Sequence, residues 1–165
     1  MLWIRFDEED RWSPAPPFCL LSLQGEQVCM SDFRGECNLV LFFAHERDSN
    51  ECLAILEGFA THQAEYRAED ARVIAVIPET QQWMEEDPSL TASPVIILSD
   101  PDGSARSRYA NIMDESLVSD EDNLIFVLDQ YGAPYTAVVG KDLDAPTLHE
   151  EIVKWLRYVG MQCPE

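Results

Sequence analysis

Two uninterrupted apolar segments dominate the hydrophobic pattern in the first half of the chain. Residues 38–44 read NLVLFFA and residues 72–77 read RVIAVI. Continuous apolar runs of this length are typical of strands that are covered on both faces of a sheet. Between them, apolar positions recur at the helical period from Cys52 to Tyr66, which predicts a long amphipathic helix. Strand, helix and strand in this order predict a βαβ unit with a right-handed crossover.

Shorter segments complete the pattern on either side of this unit. An early β-hairpin is predicted over 18–30, because Gly25 supplies the positive φ that a tight turn needs. A second hairpin is predicted over 123–139, and an amphipathic helix closes the chain from about Pro146. The other predicted elements are a short helix at 79–86, a peripheral strand at 94–98, a helix at 104–110 and an acidic loop at 114–122.

The order of these elements predicts an α/β fold with a mixed central sheet that helices cover on both faces. A chain of 165 residues suits a single hydrophobic core. We expect one domain over 14–160. It is preceded by a lead-in segment, 1–13, that ends at a proline cluster, and it is followed by a short tail, 161–165.

Charge excludes two classes of partner. The chain has 31 acidic and 11 basic residues and a formal net charge of -20, so it repels phosphate backbones and anionic lipids. We therefore expect no nucleic-acid partner and no membrane partner. A hydrophobic content of 46% argues against disorder. No basic segment leads into a long apolar run at the start of the sequence, and we expect a soluble, cytoplasmic protein.

The cysteine pattern favours thiols over disulfides. An odd number of cysteines without a CxxC motif, in a chain too long to need covalent staples, predicts mostly reduced side chains in a reducing compartment. The five cysteines are Cys19, Cys29, Cys37, Cys52 and Cys163. The first three lie in or beside the early strands and are interpreted as packing residues.

Candidate chemistry lies in the loop between the first central strand and the long helix. Cys52 falls in the first turn of that helix, and Ser49 is a suitable N-cap three residues before it. The positive end of a helix favours a thiolate, which is the nucleophilic form of cysteine. The alternative is that Cys52 is a small buried side chain on the core face of its helix.

Six short segments of the chain form a recognisable series. They are APPF at 15–18, LQG at 23–25, SDFRG at 31–35, LFF at 41–43, LSDPDG at 98–103 and FVLDQYG at 126–132. In this order they resemble the peroxiredoxin family, also described as alkyl hydroperoxide reductases and thiol-specific antioxidant proteins. The resemblance covers roughly residues 15–155 and implies a thioredoxin-like fold and an antioxidant thiol peroxidase.

The resemblance assigns roles to individual residues. The family pattern is a proline, three residues, a threonine or serine, two residues and the peroxidatic cysteine. Ser49 and Cys52 match it, and His45 stands at the proline position. Asn123 occupies the position of an arginine that the family places before its penultimate strand.

Loss of that arginine implies slow catalysis, because a fixed positive charge stabilises the thiolate and the peroxide oxygens. Arg47 or a protonated His45 is the candidate replacement. Cys163, in the tail, is similar to a C-terminal resolving cysteine.

The resemblance also implies the reactants. The substrate is a hydroperoxide, the reductant is a thiol such as a thioredoxin or a small thiol, and a homodimer is one possible assembly. No cofactor is expected, and no metal, because His62 and His149 are isolated along the sequence. The competing hypothesis is a catalytically degenerate thioredoxin-fold module that binds other proteins. A thioredoxin-type disulfide oxidoreductase is disfavoured by the absence of CxxC.

Overall fold

Eight strands form one mixed sheet in the computed structural model, which describes residues 1–46, 50–143 and 145–162 of the chain. The strands are β1 (Leu2–Arg5), β2 (Cys19–Ser22), β3 (Gln27–Cys29), β4 (Asn38–Phe43), β5 (Ala71–Ile77), β6 (Ile96–Ser99), β7 (Asn123–Leu128) and β8 (Pro134–Gly140). Their order across the sheet is β1-β8-β7-β4-β5-β6-β2-β3. β4, β5 and β6 run parallel to one another, whereas every other neighbouring pair is antiparallel.

Helices cover both faces of this sheet, which confirms the predicted α/β architecture. Alternate residues of β4 face opposite sides, so that Val40 and Phe42 join one buried cluster while Leu41 and Phe43 join the other. The first cluster includes residues of the two longest helices, and the second includes residues of the helix at 104–110. The helices are α1 (Asn50–Thr61), α2 (Gln63–Ala68), α3 (Gln81–Glu85), α4 (Pro88–Thr91), α5 (Ser104–Ala110) and α6 (Leu148–Gln162). No helix in the described part of the chain is both long and apolar enough to cross a membrane.

The lead-in segment forms a strand, as its sequence allows, and this strand, β1, pairs with β8 at one edge of the sheet. Several other elements differ from the sequence-based expectation. β6 was predicted to be peripheral, but it lies between β5 and β2 because the early hairpin folds back to pair with it. The long helix is divided at His62 into α1 and α2. Pro88 begins the additional short helix α4, with Asp87 as its N-cap.

The early hairpin corrects the interpretation of its cysteines. Cys19 and Cys29 form a disulfide rather than acting as reduced packing residues. They face each other in the register of β2 and β3, and their Cα atoms are 4.0 Å apart. Each cysteine is five residues from Gln24 in the turn of the hairpin, so the sequence spacing alone was compatible with their facing each other across the two strands. Hairpin pairing, rather than a cysteine motif, brings the two sulfurs together.

A second correction concerns the histidines, because His62 and His149 are not isolated in space. Their rings stack with centroids 4.2 Å apart, and Tyr66 Oη lies 2.6 Å from His149 Nδ1. Gly58 makes room for the His149 ring, since a Cβ atom there would lie 2.5 Å from His149 Nε2. His62 Nδ1 donates to the Gly58 carbonyl oxygen at 2.7 Å. This cluster joins α1, α2 and α6 over the first buried cluster.

The cluster predicts that acid weakens the fold. Burial, with a smaller contribution from His62, lowers the pKa of His149 from 6.5 to about 4. Below pH 6.5 the unfolded chain therefore takes up a proton that the folded chain does not, and stability falls progressively until about pH 4. We expect His149 to account for about 2 kcal/mol of the loss after allowance for partial solvent screening.

Urea denaturation at a series of pH values tests this expectation. The His149→Gln chain keeps a hydrogen-bonding group for Tyr66 but does not titrate, so its stability should change less between pH 6.5 and pH 5. An unchanged slope in that variant would show that other groups cause the acid sensitivity. His45→Gln is the matched control, because that side chain is partly exposed.

Candidate active site

The first turn of α1 carries the candidate nucleophile. β4 ends at Phe43, and the amide of Ala44 still donates to the Val76 carbonyl oxygen at 3.0 Å. α1 then begins beyond the carboxyl end of β4, with Cys52 as its third residue. This is the end of a parallel strand at which α/β proteins place their sites.

Cys52 combines a favourable position with complete burial. Its side chain is 0% exposed and belongs to the first buried cluster, together with Ile55 and Phe59 of the same helix. A helix N-terminus favours a thiolate, whereas an apolar environment favours the neutral thiol. The two interpretations of Cys52 considered from the sequence were a nucleophile at a helix N-terminus and a buried core side chain. Cys52 has both the position of the first and the burial of the second. Arg47, Asp48 and Ser49 lie outside the described residues, so the roles expected for Ser49 and Arg47 stay predictions.

Asn123 connects three segments at this end of the sheet. Its Oδ1 accepts a hydrogen bond from the His45 amide at 2.8 Å, and its Nδ2 donates to the Lys141 carbonyl oxygen at 2.9 Å. The side chain is buried, and alternation along β7 places it on the same sheet face as Ile125 of the first buried cluster. Asn123 therefore orients the start of the loop that leads to Cys52, and its amide is committed to backbone groups.

The His45 ring has a partner that fixes its direction. His45 Nδ1 lies 2.9 Å from the carbonyl oxygen of Asp120, which can only accept, so Nδ1 carries the proton. The other ring nitrogen, Nε2, is 3.9 Å from a carboxylate oxygen of Glu46. The ring thus bridges the loop after β4 and the acidic segment before β7.

Arg106 was not singled out in the sequence, yet it holds that acidic segment in place. Its guanidinium donates to the carbonyl oxygens of Ser119, at 3.1 Å, and Asp122, at 2.5 Å. Burial lowers the pKa of Arg106, and the carboxylates of Asp120 and Asp122 act in the opposite direction. A lone arginine on a short helix gives little sequence signal, because its partners are backbone carbonyls distant in the chain.

The start of α5, which carries Arg106, is held by Asp100 at the end of β6. The buried carboxylate of Asp100 accepts from the amides of Ala105, at 3.3 Å, and Arg106, at 3.2 Å. Burial raises the pKa of Asp100, and these two hydrogen bonds oppose the increase. Asp100, Arg106 and Asp122 thus link the ends of β6 and β7 through one chain of contacts.

Cys37, the other reduced thiol among the described residues, and the end of α6 lie at the opposite end of the sheet. Cys37 directly precedes β4, and burial raises its pKa. Gln162, the last residue of α6, shares a surface groove with Tyr135 and Tyr158, and Tyr135 lies at the start of β8. β8 starts opposite the end of β7, which is the end far from Asn123. Cys163 itself lies outside the described residues.

In 1–46, 50–143 and 145–162, no group of three or more His, Cys, Asp or Glu side chains is arranged to hold a metal ion. At this end of the sheet, α1 carries the thiol of Cys52 in its first turn.

Comparisons with known proteins bear on the family and the fold of the chain. The model of the AhpC/TSA family matches residues 13–143. No curated protein matches the sequence. Peroxidoxin BcpB from Mycobacterium tuberculosis is similar in structure, with a TM-score of 0.73 and 14% identity, over 88% of this chain and 95% of that one.

Two further solved structures extend the comparison. A reduced 2-Cys peroxiredoxin from Plasmodium vivax has a TM-score of 0.72 and 14% identity, over 92% of this chain and 86% of that one. A protein from Chlorobium tepidum, described as a thiol:disulfide interchange protein, DsbE, has a TM-score of 0.64 and 23% identity, over 87% of this chain and 96% of that one. At these identities the likeness shows a shared thioredoxin-like fold.

Proposed function

Because the chain belongs to the AhpC/TSA family, we propose that it is a thiol-dependent peroxidase that reduces hydrogen or alkyl hydroperoxides through Cys52. The observation that carries this proposal is the position of Cys52 as the third residue of α1, beyond the carboxyl end of β4. A thiolate there is stabilised by the N–H groups of the first helical turn.

The reaction proceeds in two stages. The Cys52 thiolate attacks one peroxide oxygen, so that an S–O bond forms and the O–O bond breaks. The departing oxygen takes a proton and leaves as water or an alcohol, and Cys52 is left as a sulfenic acid. One thiol then forms a disulfide with Cys52 and releases water, and a second thiol displaces Cys52 and leaves as the oxidised reductant.

Two features support a low rate. The side chain of Cys52 is fully buried, which limits the access of a peroxide to its sulfur. Asn123 stands where the family has an arginine, and its amide bonds backbone groups of His45 and Lys141. A missing preorganised charge of this kind typically costs about a hundredfold in rate. Ser49 as a hydrogen-bonding hydroxyl, with Arg47 or His45 as the positive group, completes the proposed site.

The thiol that resolves the sulfenic acid is proposed to be an external thiol or Cys163 of a second copy of the chain, and in either case an external thiol then reduces the resulting disulfide. Gln162 lies at the end of the sheet opposite to Cys52, so Cys163 of the same chain would have to cross the molecule. A disulfide between Cys52 and Cys163 is therefore proposed to join two chains in a homodimer. Location in the cytoplasm is proposed because that compartment supplies thiol reductants.

The experiment is peroxide treatment of the reduced full-length protein in the presence of dimedone, which traps sulfenic acids, followed by peptide mapping. We expect the label on Cys52 and peroxide consumption roughly tenfold or more faster than with free cysteine. Label found only on Cys37, with consumption at the rate of free cysteine, would refute the peroxidase.

The burial of Cys52 favours a second candidate, a thioredoxin-fold module that binds proteins and has lost catalysis. In that case Cys52 acts as a core residue of α1. Its thiol would remain unmodified by peroxide in the folded protein and would react only after denaturation. The dimedone experiment with and without denaturant distinguishes the two candidates.

A further inference from the structure

The Cys19–Cys29 disulfide lies at an accessible corner of the sheet. β3 is an edge strand, so Cys29 has a strand neighbour on one side only. β2 pairs with β6 at Leu21 and Ser22, and Cys19 extends beyond this pairing. Cys19 is exposed and Cys29 is half-buried. The disulfide therefore lies at the protein surface on the Cys19 side, where a thiol in solution can approach it, which is the first requirement for thiol–disulfide exchange.

The residues that flank the two cysteines are anchored independently of the disulfide. Phe18 and Met30 are buried in the second cluster, and the Met30 amide donates to the Phe18 carbonyl oxygen at 3.0 Å. Tyr109 Oη also donates to Met30 Sδ at 2.8 Å. These contacts persist when the S–S bond is broken, so the two thiols stay opposite each other. Reduction and reoxidation can then occur without unfolding of the domain.

We propose that Cys19 and Cys29 form a second redox centre, a dithiol–disulfide couple that exchanges electrons with dithiol reductants and is separate from Cys52. This centre goes beyond the proposed peroxidase and does not depend on it. Reduction transfers two electrons and two protons, converting the disulfide to two thiols and the dithiol reductant to its own disulfide.

The surroundings determine which sulfur is attacked. Asp32 Oδ2 accepts from the Cys29 amide at 2.9 Å, so the backbone of Cys29 is fixed by the turn that follows it. Cys19 is the more exposed of the two. The reductant thiolate therefore attacks Cys19 Sγ, the S–S bond breaks, and Cys29 leaves as a thiolate that takes a proton. The second thiol of the reductant then attacks the mixed disulfide and releases Cys19.

The test begins with the oxidised full-length protein carrying Cys37→Ser, Cys52→Ser and Cys163→Ser, which leaves only the proposed couple. Under native conditions with millimolar dithiothreitol, we expect both thiols to appear together, at a rate within roughly tenfold of that for oxidised glutathione. Circular dichroism should stay unchanged, and removal of the reductant should restore the disulfide. The wild-type protein, analysed by differential alkylation and peptide mapping, gives the same readout if the triple variant folds poorly.

Three results would overturn the proposal. They are a disulfide that resists dithiothreitol until denaturant is added, reduction that occurs only with loss of the folded circular dichroism signal, and two thiols that do not re-form a disulfide under an oxidant.

A second experiment tests which sulfur is attacked. It uses a thioredoxin whose second active-site cysteine is replaced by serine, because this thioredoxin traps the mixed disulfide. Trapping at Cys19 is expected, and trapping at Cys29 would contradict the direction of attack. Because Cys52 is absent from the variant, failure here leaves the peroxidase proposal unaffected.

Discussion

The Cys52→Ser chain is expected to lose peroxide reduction by about tenfold or more, down to the rate of the remaining thiols, because a serine hydroxyl is neither ionised nor nucleophilic under the same conditions. The measurement is peroxide consumption with excess dithiothreitol, compared between the variant and the wild-type protein. Cys37→Ser is the matched control, since Cys37 is also a thiol but lies at the opposite end of β4. That control should retain the wild-type rate.

Stability must be separated from chemistry in this experiment, because Cys52 is fully buried in the core. Cys52→Ala places a small apolar side chain at the same position and avoids a buried hydroxyl. Both variants should show the same loss of activity, although their melting temperatures differ. Peroxide consumption that survives in both variants would assign the activity to another thiol and remove Cys52 from the site.

Asn123→Leu is expected to lower the free energy of unfolding by about 2 kcal/mol, because it leaves two partly buried backbone groups without their partner. These are the His45 amide and the Lys141 carbonyl oxygen, which Asn123 bonds at 2.8 and 2.9 Å. Leucine has the same number of side-chain heavy atoms in the same branched arrangement, so loss of packing contributes little. Urea denaturation with an unchanged m-value measures the difference.

Comparison of Asn123→Leu with Asn123→Asp provides the control, because the two variants remove different numbers of the hydrogen bonds. Asn123→Asp keeps the acceptor for the His45 amide but removes the donor to Lys141, so it should still destabilise the fold while retaining the His45 contact. In Asn123→Leu the loop after β4 loses that contact, and peroxide reduction should fall further than in Asn123→Asp. Equal stability of Asn123→Leu and the wild-type protein would show that solvent replaces both hydrogen bonds.

Much of the architecture follows from local sequence patterns. The apolar runs of β4 and β5, the turn at Gly25 and the helical stripe from Cys52 all depend on residues that are neighbours in the chain. Such patterns show which faces of a segment are buried and at what spacing apolar residues recur along it. This is sufficient to predict an α/β sheet with helices on both sides. The position of Cys52 at the start of a helix follows in the same way.

Other features depended on which strands become neighbours. β6 is internal because β2 folds back to pair with it. The local sequence of residues 94–98 does not predict pairing with β2. Cys19 and Cys29 form a disulfide because the register of the hairpin places them opposite each other. An odd number of cysteines without a familiar spacing therefore misled the interpretation of their redox state.

By itself, the sequence determined the buried strands, the amphipathic helices, the acidic surface and the placement of Cys52 at a helix N-terminus. Only the tertiary structure decided that Asn123 holds His45, and that Arg106 holds the acidic segment before β7. It also decided that His149 meets Tyr66, which is 83 residues away in the chain. The physical reason is that burial periodicity is a property of one segment. A polar side chain instead acquires its role from hydrogen-bonding partners that distant segments bring to it.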